Sequence, residues 1–125
     1  MDLLNIIATT SSPDVQFDPL SGVLRMSGES YPENTFEFYS PVLSWVKSFL
    51  SQTTIPVSLT LELAYLNTGS VKCLMDLFDL LEDAFQDGRN VQIVWRYHAK
   101  NTRALETAEE FSEDLTLPFL IEVIE

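Results

Sequence analysis

The side chains of this sequence that could do chemistry are one imidazole, one thiol, 19 carboxylates and a hydroxyl-bearing turn, Asn67-Thr68-Gly69-Ser70. Nucleophilic catalysis needs a nucleophile beside a base, yet His98 falls on the polar alternation of an extended segment and no Gly-x-Ser-x-Gly elbow occurs. A hydrolase triad is disfavoured. Cys73 lies inside an apolar helical run and reads as a small core hydrophobe. One Cys with one His gives neither an internal disulfide nor a zinc cage, so no metal is expected. The glycines Gly22, Gly28, Gly69 and Gly88 form no Walker or Gly-x-Gly-x-x-Gly pattern, and no nucleotide or other cofactor is expected. The carboxylates Asp76, Asp79, Asp83 and Glu106, Glu109, Glu110, Glu113 recur at i+3 and i+4, the spacing of charged helix faces rather than of an acid–base pair. The three aspartates are candidate partner contacts.

The turn is the informative segment. It lies where a strand hands over to a helix, at the carboxyl edge of a sheet, where open α/β folds carry ligand-facing loops. A helix N-terminus presents unpaired N–H groups and a positive dipole end, so an anion on Thr68 or Ser70 could be held by backbone. Gly69 removes a side chain that would crowd it. The plain alternative is that Thr68 or Asn67 merely caps the helix, with Val71 lacking the Glu or Gln of a capping box.

The elements that must position this turn follow from periodicity. Residues 14–29 read as a hairpin around Asp18-Pro19-Leu20-Ser21-Gly22, preceded by an edge strand within 5–12. Ser40-Pro41 is expected to start a helix whose stripe is Val42, Trp45, Val46 and Phe49. Apolar odd positions from Val57 to Tyr65 make a strand wet on one face, and a four-turn helix over 71–86 follows, stopped by Gly88. Val91–Tyr97 is a strand, Leu105, Ala108, Phe111 and Leu115 mark an acidic-faced helix, and Phe119–Val123 closes with a strand. Right-handed crossovers then predict a two-layer α/β domain over residues 1–125, with a mixed, mostly parallel sheet and helices mainly on one face. The other face would display Arg25, Glu62, Arg96 and His98.

Charge narrows the partners. Seven Lys+Arg against 19 Asp+Glu give 7 − 19 = −12, a field that repels nucleic acid and anionic lipid. With no basic n-region and no membrane-length apolar run, the expectation is a cytoplasmic protein without membrane insertion. The sole basic concentration is Arg96, His98, Lys100 and Arg103.

Two segments carry a family resemblance: Tyr31-Pro32-Glu33-Asn34-Thr35-Phe36-Glu37-Phe38-Tyr39-Ser40-Pro41-Val42 with Trp45, and Tyr65-Leu66-Asn67-Thr68-Gly69-Ser70. They resemble the SiaC family of bacterial regulatory phosphoproteins of biofilm and aggregation control, itself similar to the STAS-like anti-sigma-factor antagonists of partner-switching systems. The resemblance implies a STAS-like domain without catalysis, phosphorylated at Thr68 by a Ser/Thr kinase of the SiaB type and dephosphorylated by a PP2C phosphatase of the SiaA type. It further implies that the unmodified form binds and activates a GGDEF diguanylate cyclase of the SiaD type, promoting cyclic-di-GMP synthesis. The antagonist loop usually reads Asp-Ser-Ser-Gly; here Asn67 replaces the acid and Gly69 has moved, which keeps Ser70 as a second acceptor candidate. The competing expectation is an acidic interaction module without phosphorylation control.

Overall fold

Asp18 makes the first turn: its carboxylate accepts from the Leu20 N–H at 2.9 Å and its carbonyl from the Gly22 N–H at 3.0 Å. Gly22 takes φ +72°, and a Cβ there would collide with the Pro56 carbonyl oxygen, so glycine is needed on both counts. This turn joins β2 (Asp14–Phe17) to β3 (Val23–Ser30), with β1 (Leu4–Ile6) on the outer side of β2. The chain then alternates helix and strand: α1 (Thr35–Gln52), β4 (Val57–Leu66), α2 (Thr68–Gln86), β5 (Val91–His98), α3 (Thr102–Glu113), β6 (Phe119–Ile124). The computed structural model describes all residues from Met1 to Glu125.

Strand order in the six-stranded sheet is β1-β2-β3-β4-β5-β6, with the first two pairings antiparallel and the rest parallel. Because parallel neighbours are joined in sequence order, right-handed crossovers place all three helices on one face. The inward residues of the strands, from Val15 and Phe17 through Leu59 and Leu61 to Ile93 and Trp95, share one apolar cluster with Val42, Leu74 and Ala108 of the helices. The opposite face is open, as expected. There Arg96 lies 3.8 Å from Glu62 and 3.6 Å from Glu122, and Gln92 donates to Ser58 at 3.1 Å. Exposed pairs of this kind add little stability. No helix is long and apolar enough to cross a membrane.

Two boundaries differ from expectation. Helix α1 starts at Thr35, capped by Asn34, whose Oδ1 accepts from the Glu37 N–H at 3.0 Å, rather than at Ser40-Pro41. Pro41 therefore sits inside the helix, at its seventh residue, on the exposed side where water can satisfy the Glu37 carbonyl that loses its partner. Helix α2 likewise starts at Thr68, three residues earlier than the apolar period indicates.

Candidate functional site

The site is built on an irregularity in β4. Gly28 of β3 pairs with Leu63, but Glu29 pairs with Tyr65, so Ala64 bulges out of the ladder. The Asn101 side chain, itself the cap of α3, donates to the Ala64 carbonyl at 2.9 Å and fixes the bulge. Consequently Tyr65 leaves the inward row that Leu59, Leu61 and Leu63 occupy and stands 45% exposed, meeting Tyr31 edge-on at 5.8 Å between ring centroids. The expectation that Tyr65 continues the buried row is corrected by this extra residue.

After the bulge the chain enters α2 through a fixed cap. The Asn67 Oδ1 accepts from the Ser70 N–H at 2.9 Å, and the Asn67 N–H donates to the Ser30 carbonyl at 2.9 Å. Thr68 is thus the first helical residue and is exposed, while the N–H groups of the first turn have no intrahelical acceptor. Gly69 faces α1 so closely that a Cβ would collide with Oγ1 and Cγ2 of Thr35. Asn67 is the cap, as the plain alternative expects, and Thr68 is exposed beside a positive helix end.

Ser70 has the opposite environment. It is fully buried, its hydroxyl donates to the Ser30 carbonyl at 2.9 Å and lies 2.7 Å from Ser30 Oγ, which in turn lies 2.7 Å from Tyr39 Oη. Of the two acceptor candidates only Thr68 is reachable. Burial outweighs the Ser30 and Ser70 hydrogen bonds and pushes the Tyr39 phenol up to about 12 from its ordinary 10.0. A raised phenol leaves stability intact below pH 10 and removes it as pH climbs through 12, in all about 3 kcal/mol. Urea midpoints between pH 9 and pH 11.5 are therefore expected to fall more steeply for the native protein than for Tyr39→Phe. Equal slopes would place the phenol in water.

Around this turn the Tyr31–Val42 string finds its reason. Tyr31 touches Tyr65, the Pro32 carbonyl accepts from the Asn67 side chain at 3.5 Å, Thr35 faces Gly69 and Tyr39 reaches under Ser70. The family model for the SiaC family regulatory phosphoprotein matches residues 6–124. The chain belongs to the SiaC family. An uncharacterized protein of Pseudomonas aeruginosa strain UCBPP-PA14 is 48% identical over 122 residues, covering 98% of this chain and 97% of its own. The solved structure of SiaC of Pseudomonas aeruginosa superposes with a TM-score of 0.94 at 46% identity, covering 99% of this chain and all of that one. A structure of the diguanylate cyclase SiaD in complex with its activator SiaC, from the same organism, matches with a TM-score of 0.94 at 47% identity over 97% of this chain and 99% of that one.

In this SiaC-family chain the predicted acidic contacts separate. Asp79 lines a groove between α2 and α3 together with Glu110 and Asp114, whereas Asp76 and Asp83 are exposed on α2 outside it. Burial, then the nearby Asp76, Asp83, Asp114 and Glu82, push the Asp79 carboxyl above its usual range. The basic residues separate too: Arg96 is on the open sheet face and Arg103 in the groove. Cys73 is buried, with its thiol pushed up by burial and by Asp76, the condition of an unreactive core cysteine. Sequence reasoning missed Tyr31, Thr35 and Tyr39 as parts of the site, although the unusual density of Pro, Asn and aromatics there was the available sign.

Proposed function

We propose that this protein is a non-catalytic, cytoplasmic switch that activates a GGDEF diguanylate cyclase when Thr68 is unmodified, and that phosphorylation of Thr68 turns it off. What supports the reading is its likeness, over nearly the whole chain, to the SiaC seen bound to SiaD as its activator, combined with an exposed Thr68 hydroxyl at the first residue of α2. A kinase of the SiaB type would esterify that hydroxyl and a PP2C phosphatase of the SiaA type would remove the ester. The helix start suits both steps: the orphan N–H groups and the positive dipole end favour an anion there.

The turn can lie under a partner only while it is neutral. A hydroxyl needs one hydrogen bond when covered, whereas a phosphoryl group brings about −1.5 to −2 charges that a dry contact leaves unpaired. The candidate contacts Asp76, Asp79 and Asp83 would meet a basic partner surface and raise the association rate. Treatment with the cognate kinase and ATP is expected to add one phosphate, mapped by mass spectrometry to Thr68, and Thr68→Ala is expected to remain unmodified while still stimulating the cyclase. Phosphate confined to another residue, or a Thr68→Ala protein that no longer stimulates, overturns the assignment.

A further inference from the structure

The sheet ends on β6, and this edge carries none of the features that usually keep an edge strand single. From Phe119 to Ile124 there is no Lys, no Pro and no bulge, and the one charge, Glu122, is engaged by Arg96 at 3.6 Å. The Ile93 N–H donates to the Pro118 carbonyl at 2.9 Å and the Ala99 N–H to the Ile124 carbonyl at 3.2 Å. Alternate residues of a parallel strand bond a given neighbour, so Leu120, Glu122 and Ile124 turn their backbone groups to β5. Phe119, Ile121 and Val123 therefore direct both N–H and C=O away from the sheet, where no group of the chain meets them.

Apolar side chains flank these free groups on both faces. Val123 is 56% exposed on the helix side and Leu120 is 46% exposed on the open side. Leu105, expected in the buried stripe of α3, is instead half-buried and stands outside the core cluster. Arg103, Thr107, Glu110 and Asp114 turn one flank of α3 to the groove beside α2. Leu105, two residues from both Arg103 and Thr107, lies on the other flank, over the β6 side. The opposite edge of the sheet, β1, has three residues against six in β6 and offers a much shorter ladder.

We propose that β6 pairs antiparallel with β6 of a second copy of this chain, about a twofold axis at Ile121, so that one sheet runs through both molecules. The strand is self-complementary in this register. With Ile121 opposite Ile121, Phe119 faces Val123, and these outward residues exchange up to about six hydrogen bonds. Leu120 then lies opposite Glu122, so the two Glu122 carboxylates do not meet. Sliding the strands by two residues in one direction sets Glu122 against Glu122, and in the other direction leaves Val123 unpaired. A net charge of −12 on each copy opposes the pairing at long range, so salt strengthens it. The dimer does not depend on the cyclase-activating reading. Thr68 lies at the carboxyl end of β4, two strands in from the edge, and the twofold axis sends the two Thr68 turns to opposite ends of the joint sheet, both exposed.

The test is sedimentation equilibrium of the full chain from about 5 to about 500 µM, in about 0.05 M and about 0.5 M NaCl. The mass is expected to rise from 14.2 kDa towards twice that value, with a Kd on the order of tens of micromolar that is tighter in high salt. Val123→Lys is expected to weaken the dimer about tenfold or more with an unchanged melting temperature, since this side chain is solvent-exposed in the single chain. Leu20→Lys, which makes the same charge change in the hairpin turn, should stay within about twofold. Hydrogen exchange of the Ile121 and Val123 amides is expected to slow as concentration rises, while the amides of β1 are unaffected. A single 14.2 kDa species throughout the range at both salt concentrations overturns the proposal. So does a dimer that Val123→Lys leaves intact and in which the Ile121 and Val123 amides exchange at the monomer rate, because it is then built on another surface.

Discussion

Phosphorylated at Thr68, the protein is expected to bind its cyclase roughly 30- to several-thousand-fold more weakly than the unmodified form, a loss of about 2–5 kcal/mol. Two effects act in the same direction. In the free protein the phosphate sits in water at the first residue of α2, where the unpaired N–H groups and the dipole stabilise it by about 0.3–1 kcal/mol. In the complex the same dianion must lose water against the partner surface that covers the turn, and leaving a charge unpaired there costs about 2–5 kcal/mol. Desolvation is the larger effect, so the switch depends mainly on what the partner covers. Calorimetry with the two forms of the protein checks the ratio, and cyclase turnover should fall in step. Thr68→Ala should bind within a few-fold of the native protein. Thr68→Asp carries one charge instead of nearly two and should fall between the two forms. Equal affinity of the bare and phosphorylated proteins would remove the mechanism.

How much of this was legible in the sequence depended on whether the cause was local. The alternation Leu59, Leu61, Leu63 and the helical spacing of Leu74, Phe78 and Leu81 expose a periodic face, so the layers, the parallel order and the wet face follow from pattern alone. The start of α1 did not, because Pro41 at a first helical position is the usual arrangement, and only the packing of Tyr39 under Ser70 shows that the helix begins earlier. Tyr65 was misplaced for a similar reason. Its exposure is set by a bulge at Ala64 held by Asn101, 37 residues away in sequence, and no window of alternation contains that partner. The turn itself was found because Asn, Thr, Gly and Ser at a strand-to-helix junction carry their chemistry locally. That Thr68 and Ser70 lie in opposite environments was not visible, since burial of Ser70 is decided by Ser30 and Tyr39 from distant strands and helices.

That difference makes Ser70→Asp the most damaging single change expected at the site, while Thr68→Asp two residues earlier should be mildly stabilising. At Thr68 a carboxylate remains in solvent at the helix start and gains about 0.3–1 kcal/mol from the dipole. At Ser70 the helix position is just as favourable to an anion, but the side chain is fully buried and its oxygen donates to the Ser30 carbonyl at 2.9 Å. A carboxylate has no proton to donate there, so two oxygens would oppose each other beside a charge without a cation, a cost of about 3–5 kcal/mol. Less the dipole contribution, the net loss should be about 2–5 kcal/mol in urea denaturation at pH 7. The new carboxyl would have a raised pKa in the fold, so the variant should recover stability as pH falls and the group is neutralised, the reverse of a paired carboxylate. A Ser70→Asp protein as stable as the native one, with no recovery in acid, would mean that the hydroxyl cluster opens readily. Ser70 would then be as available to a kinase as Thr68. With the cluster closed, esterifying Ser70 requires unwinding the first turn of α2 and exposing Ser30 and Tyr39, whereas the exposed Thr68 hydroxyl could be esterified on the folded protein, and under the proposed control this would let one hydroxyl of the pair serve as a reversible switch.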